Sequence, residues 1–483
     1  MKALPFQSAS RVVRLYYALP LSLVIVLALI YRIDPMNRGL GQDELYTAVH
    51  FVEIPSVWKI MSSNDAFNNH IGYSLMARFS EGLLGRSELA LRLPALMFGM
   101  ATLCVFFVFG RSILGHIPAL LGTLILALSP PHTGWSVAAR GYSAMIFFTL
   151  LSSYLYLRLL CHPVRREAVV FIGVSVLGIY THVYSSFTTL VQILLLIYLY
   201  VTTDITKQTK FSINQLSFRM LSKSFAAIAV LSLLLYAPVL QQMFRDLLGR
   251  GRGNFNPTFP WAVIQELSGS EWPQITALIA LVSLLGWRAL LGARPLEAAY
   301  FSVLLAGPLL IMWLAGPFDL YPRFFAYWLP YYILFFVAGL RSLWELKSKA
   351  ILRSMRLLSP ILATIILATV LQHWVTNWQS YYYILDEGYR EASRAIVTGA
   401  KEPVAFCAIG GARSVWQYYI YSPVVTPSSV AELQKLGMNH SEVRCVYYEA
   451  PWQGLEQTKI VEFLLQHSSW SKMKGFTLFI YRG

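Results

Sequence analysis

Long apolar runs separated by polar connections set the pattern of this chain. A run needs roughly 20 residues to cross a bilayer as a helix. The segments that read this way are 15–33, 94–112, 117–131, 141–160, 168–183, 184–203, 224–243, 272–290, 297–315, 324–341 and 358–376. They predict an all-α polytopic membrane bundle of about eleven transmembrane helices. Segments 117–131 and 168–183 are the shortest, consistent with tilt or fusion to a neighbour.

The connections alternate in character. Lys2, Arg11 and Arg14, then Arg165 and Arg166, Lys207, Lys210 and Lys223, Arg288 and Arg294, and the stretch from Arg341 to Arg356 fill every second one. Cytoplasmic loops carry such an excess, which predicts a cytoplasmic N-terminus. It also predicts that 34–93, 131–140, 244–271, 316–323 and everything after about residue 377 face outward. Within 34–93, the stretches from Pro55 to Met61 and from Tyr73 to Phe79 read as short interfacial helices.

Beyond Trp378 the periodicity changes. A helical pattern from Asp386 to Thr398 precedes a buried-strand run, Pro403 to Ile409, that ends in a Gly410-Gly411 turn. Further strands are predicted from Val443 to Tyr448 and from Phe476 to Tyr481, with a helix from Gln457 to Gln466 between them. Alternating strands and helices predict a small C-terminal α/β domain. The chain thus divides into a membrane domain, 1–376, with its first outward loop at 34–93, and a soluble outward domain, 377–483.

Composition sharpens this picture. Of 483 residues 56% are hydrophobic and only 13% charged, against about 25% charged in soluble domains; the mean hydropathy is +0.53. A soluble globular protein is excluded. The first run is too long for a signal-peptide core and lacks a small-x-small cleavage site, so it reads as a retained helix. A net charge of +15 lies in the short loops and sets topology, so no nucleic-acid partner is implied. Cys104, Cys161, Cys407 and Cys445 show no metal-ligand spacing. Cys407 and Cys445 share the C-terminal segment, where a disulfide is open to them if that segment lies outside the cytoplasm.

The candidate chemistry lies on the outward connections. Asp43 and Glu44 follow the first helix, where a helix N-cap is the bland alternative. His70, Arg92, Arg140, Tyr142, His182 and Arg323 recur at the ends of other spans on the same side. Singly, an arginine there snorkels to headgroups. Together, paired acids, histidines and arginines suit an anionic lipid-linked substrate: arginine holds phosphate, and a carboxylate takes the proton of an attacking hydroxyl. Asp43 and Glu44 are adjacent and diverge in direction, so both do not reach one atom. The loop around Gly251-Arg252-Gly253 is flexible by composition and reads as a flap near the phosphate, or as a loop on anionic headgroups.

In order and spelling, QDELYTA (42–48), NNHIGYSLMARFSEGLLGRSELALRLPALMFG (68–99), SPPHTGWSVAARGYSAMIFF (129–148), YTHVYSSF (180–187) and YPRFFAYWLP (321–330) resemble the GT-C membrane glycosyltransferases. The likeness is to bacterial relatives of the dolichyl-phosphate-mannose protein mannosyltransferases and of the lipid A aminoarabinose transferase. It covers roughly residues 15 to 340.

The resemblance implies inverting transfer of a sugar from a polyprenyl-phosphate donor, usually undecaprenyl phosphate, to a hydroxyl of a lipid, glycan or protein acceptor. The setting it implies is the outer face of a bacterial inner (plasma) membrane. It implies Asp43 as general base, Glu44 in support and Arg323 on the lipid phosphate. His70 and Arg140 match positions near the donor; Tyr142 and His182, by their place on the same face, and Arg252, on the flap, are further candidates for donor or phosphate binding. Asp43, Glu44 and His70 are candidate ligands for a divalent cation; no other cofactor is implied. Relatives commonly read His-Pro-Pro-Leu-Tyr where this chain has His70-Ile71-Gly72-Tyr73, which frees the backbone there. Alternatives are a lipid-linked sugar transporter or flippase, and a polysaccharide polymerase or ligase with a diphosphate-linked donor.

Overall fold

The computed structural model describes residues 11–63, 68–206, 213–249, 256–315, 320–345, 353–383, 388–400, 402–409, 416–420, 422–448, 455–473 and 476–482. The membrane domain begins with α1 (Arg11–Met36), α2 (Gln42–Thr47), α3 (Val57–Met61), α4 (Ile71–Leu84), α5 (Glu88–Leu114), α6 (His116–Leu128), α7 (Pro130–Ser136) and α8 (Tyr142–Cys161). It continues with α9 (Arg165–Thr181), α10 (Ser185–Thr206), α11 (Gln215–Tyr236), α12 (Leu240–Gly249), α13 (Phe259–Ser268), α14 (Pro273–Ala293) and α15 (Pro295–Ala315). A 3-10 turn (Pro322–Trp328) leads into α16 (Leu329–Trp344), and α17 (Arg353–Tyr383) leads out.

Each predicted span is helical, and the exact count of about eleven is not confirmed. Among the described residues nine helices are long and apolar enough to cross a membrane. The segments expected at 117–131 and 168–183 are α6, of 13 residues, and α9, of 17. Local chemistry sets these lengths. Gly115, at φ +90°, forces a reversal that only glycine adopts cheaply, and Ser129 turns extended just before Pro130. α9 stops where His182 becomes extended.

Lipid tails give no hydrophobic drive for helices to associate, so close packing and buried hydrogen bonds hold the bundle. α14 and α16 cross backbone to backbone: a Cβ on Gly286 would sit 1.8 Å from the Phe335 carbonyl oxygen, and one on Gly339 1.9 Å from that of Val282. Inside the bundle, Ser153 Oγ lies 2.7 Å from the hydroxyls of both Tyr300 and Tyr331, joining α8, α15 and α16.

The C-terminal domain opens with α18 (Tyr389–Val397) and folds as a five-stranded sheet of order β2-β1-β3-β5-β4. Its strands are β1 (Val404–Ile409), β2 (Val424–Val425), β3 (Glu442–Tyr448), β4 (Ser468–Met473) and β5 (Phe476–Tyr481). β1 pairs parallel with β2 and β3, while β5 pairs antiparallel with β3 and β4. Cys407 and Cys445 are register partners on β1 and β3 and form a disulfide. The predicted Gly410-Gly411 turn lies outside the described residues.

The period of two in β1 builds two cores. Ala405, Cys407 and Ile409 face the helices Val430–Asn439 and Leu455–His467, with Leu433, Ile460 and Leu464. Phe406 and Ala408 face the other way, in a core with Tyr389 and Trp416 that continues to Leu40, Leu45 and Leu91 of the membrane domain. Arg444 fastens α18 to this sheet by donating to the carbonyls of Ile396, Thr398 and Gly399 at 2.8, 2.7 and 2.7 Å.

Candidate active site

The site begins where α1 runs out. Pro35 ends its apolar stretch, residues 37–41 form a loop, and α2 starts at Gln42 behind an extended Gly41. Glu44, the third residue of α2, reaches back to accept the Gly41 N–H at 3.0 Å, as a capping-box acid does. Successive helical residues point about 100° apart, so Glu44 turns inward and Asp43 outward.

Glu44 is 3% exposed and fully engaged. Oε1 accepts from Arg92 Nε at 2.9 Å and from the Ala139 N–H at 2.6 Å. Oε2 accepts from Arg92 Nη2 at 2.7 Å as well as from Gly41. Arg92 donates further to the carbonyls of Pro35, Met36, Arg38 and Gly39, at 3.1, 3.4, 2.7 and 3.0 Å. The snorkelling or phosphate-binding expected of Arg92 is therefore replaced by a clamp on the loop, because every N–H it carries toward 35–44 already has an internal acceptor.

Asp43 faces a cavity of about 340 Å³ walled by Trp135, Arg140, Tyr142, Glu266, Tyr321 and Arg323 among others. Its Oδ2 lies 3.0 Å from Arg323 Nη1, with both side chains partly open to solvent. Arg323 enters from the 3-10 turn, behind Pro322 at the first helical position. Its guanidinium carbon sits 4.6 Å from the centre of the Tyr321 ring, and its Nε is buried without a hydrogen-bond partner. Acid and guanidinium from distant parts of the chain thus meet on one open cavity.

Arg140 lies behind this pair. It donates to Thr47 Oγ1 at 2.7 Å and Asn68 Oδ1 at 2.6 Å, with a longer 3.5 Å contact to the Asp43 carbonyl. Tyr142 lines the cavity with a buried hydroxyl that has no partner. His70 and His182 are not part of the wall: their rings lie 4.4 Å apart and pack 5.2 and 5.1 Å from that of Tyr142. His70 Nδ1 accepts the Gly141 N–H at 2.9 Å. Burial, then Arg140, His182 and Arg323, hold His70 well below the ordinary histidine range, so it is neutral near pH 7. The glycine in place of proline has a local reason: a Cβ on Gly72 would meet Thr181 Oγ1 at 2.7 Å.

The expected cation ligands Asp43, Glu44 and His70 do not converge. Among the described residues no three His, Cys, Asp or Glu side chains form a ligand set. Glu44 has no lone pair left for a metal, and His70 spends Nδ1 on Gly141. The residues do not fit a bound cation. Arg252 lies outside the described residues. Sequence reasoning missed Glu266, which lines the cavity together with Asp43 and Glu44. Its signal was available: a lone acid in the otherwise apolar run of α13.

No protein-family model matches the chain, and no curated protein matches it. Solved structures do. ArnT from Cupriavidus metallidurans in the apo state superposes at a TM-score of 0.60 and 13% identity, over 95% of this chain and 97% of that one. ArnT bound to undecaprenyl phosphate gives 0.62 at the same identity and coverage. The oligosaccharyltransferase AglB from Archaeoglobus fulgidus, in complex with an inhibitory peptide and a dolichol-phosphate, gives 0.56 at 9% identity. That match covers 90% of this chain and 70% of AglB. The chain has the GT-C fold: a polytopic helical bundle with a small C-terminal sheet domain.

Proposed function

We propose that this chain is an inverting glycosyltransferase that moves a sugar from a polyprenyl-phosphate donor, of the undecaprenyl type, to an acceptor hydroxyl. The single observation that carries the reading is the 3.0 Å contact of Asp43 and Arg323 on an open cavity. The acceptor oxygen attacks the anomeric carbon from the face opposite the phosphate. A new carbon–oxygen bond forms as the bond to the phosphate oxygen breaks. The hydroxyl proton passes to Asp43, and the electron pair leaves on the phosphate.

Arg323 compensates the charge that gathers on the departing phosphate. A donor phosphate at Arg323 displaces the Asp43 carboxylate from its ion pair and frees it to accept the proton. Tyr142 offers its unpartnered hydroxyl to the donor. His70 and His182 hold the Tyr142 ring, Arg140 holds the backbone of α2, and Arg252 remains a proposed phosphate ligand. Glu44 acts through Arg92 and the loop, and touches no reacting atom.

The acceptor is a hydroxyl of a lipid, a glycan or a protein. We place the reaction at the outer face of a bacterial inner membrane, with the N-terminus cytoplasmic. The Cys407–Cys445 disulfide supports an oxidising compartment for the C-terminal domain.

Purified protein in nanodiscs, given undecaprenyl-phosphate sugars and a lipid or peptide acceptor, should release undecaprenyl phosphate and yield a product of inverted anomeric configuration. Asp43→Asn should abolish both. Sugar-lipid crossing sealed vesicles without turnover would instead mark a transporter and overturn the proposal.

A further inference from the structure

The C-terminal domain docks onto the loop that leads to Asp43, and the side-chain hydrogen bonds that reach its backbone from α5 and from the C-terminal domain divide it between two owners. Arg92 takes four of the five consecutive carbonyls from Pro35 to Gly39. The fifth, of Asn37, accepts from Arg390 Nη1 at 2.8 Å, and Arg390 lies on α18 of the C-terminal domain. The next polar group, the N–H of fully buried Leu40, donates to the Tyr419 hydroxyl at 2.9 Å. That hydroxyl in turn donates to Glu88 Oε1 at 3.2 Å, and Arg390 meets the same oxygen at 3.3 Å. Glu88 opens α5 one turn before Arg92. Tyr419, Arg390, Glu88 and Arg92 thus form one frame around residues 35–41, and Asp43 stands two residues beyond it.

We propose that Tyr419 and Arg390 are positioning residues: the C-terminal domain sets the aim of Asp43 toward the cavity by fixing the loop backbone. Without the Tyr419 hydroxyl, the Leu40 N–H is buried and unpaired, and the loop shifts to find water. Arg444, tying the end of α18 to β3, makes Arg390 part of a rigid body rather than a loose arm. The inference deepens the transferase reading and rests on it for its catalytic consequence, but not for the coupling itself.

The test uses full-length protein in nanodiscs with Tyr419→Phe, which keeps the packed ring, and Arg390→Gln, which releases the Asn37 carbonyl. Tyr418→Phe is the control, since Tyr418 stacks on Arg86 instead, 4.3 Å from its guanidinium carbon. Hydrogen exchange by mass spectrometry should show faster exchange at residues 37–47 in both test variants. Residues 404–409 and 442–448 should stay as protected as in the parent protein. With an undecaprenyl-phosphate sugar as probe, kcat should fall about tenfold to a hundredfold while the donor KM stays within about twofold.

Unchanged exchange at 37–47 in both variants overturns the positioning role. A rise in acceptor KM with kcat intact overturns it too, and makes the domain a selector of acceptors. Faster exchange with no transfer by the parent protein leaves the coupling standing and sinks the transferase reading instead.

Discussion

Glu44→Gln and Asp43→Asn make the same chemical change at neighbouring positions, and the structure predicts different effects on stability. Each Glu44 oxygen accepts two bonds, from Arg92 Nε and Ala139 N–H on one side and from Arg92 Nη2 and Gly41 N–H on the other. A glutamine keeps one oxygen and turns an NH2 toward two donors. It also strips the counter-ion from an arginine that is 2% exposed. Breaking one half of a buried ion pair costs about 3–5 kcal/mol, a large part of the ~5–15 kcal/mol that holds a typical domain.

Asp43 differs because its side chain is 43% exposed and that of Arg323 34%. Pairs open to solvent contribute about 0–1 kcal/mol. Asp43→Asn should therefore lose transfer while melting within a degree or two of the parent protein. Glu44→Gln should melt several degrees lower and lose activity through misfolding. Thermal unfolding in detergent, followed by intrinsic tryptophan fluorescence, reads both. A Glu44→Gln protein as stable as the parent would refute the clamp. Substantial turnover by Asp43→Asn would remove it as the base.

Arg323→Ala should weaken donor binding far more than acceptor binding; unchanged affinity for undecaprenyl phosphate in a direct titration would take Arg323 off the phosphate. Gly286→Ala should reduce the yield of monodisperse protein on size exclusion, since its new methyl has 1.8 Å to the Phe335 carbonyl oxygen, and parent-like yield and melting would contradict that crossing. Burial first, and then Glu53, push the Glu81 carboxyl up to about 7 against the pull of Arg86 and Arg78. The folded state then holds a proton that the unfolded state releases, so this group's contribution to stability falls as pH rises from 4.5 to about 7. Glu81→Gln should raise the melting temperature above pH 7 and change it little below pH 4.5; equal shifts at both would refute the assignment.

Where hydropathy decides structure, the sequence is a good guide. Long apolar runs have one solution in a membrane, and the Asp43 position is legible because acids begin where the first run ends. The β1, β3 and β5 strands announce themselves through buried apolar runs. β4 does not, because Ser468–Met473 is largely exposed and polar and borrows its order from β5. β2 has two residues and no pattern to read. What the sequence does not show is how Glu44 is engaged: its capture by Arg92, the Ala139 N–H and the Gly41 N–H is settled by tertiary packing.

The same reasoning explains why no pattern in the sequence singles out Glu88 and Arg390. Backbone carbonyls left without local partners must find donors elsewhere, and residues 35–39 make no strand and, past Met36, no helix. Their donors come from α5 on one side and from α18 on the other, so the loop reaches its observed form only when both have docked. Such a segment opens together with the elements that hold it rather than residue by residue. The precision of Asp43 is therefore set by how firmly the C-terminal sheet sits on the bundle. Substitutions on the C-terminal side of the shared core, at Trp416 for example, would act on the same loop as Tyr419 does.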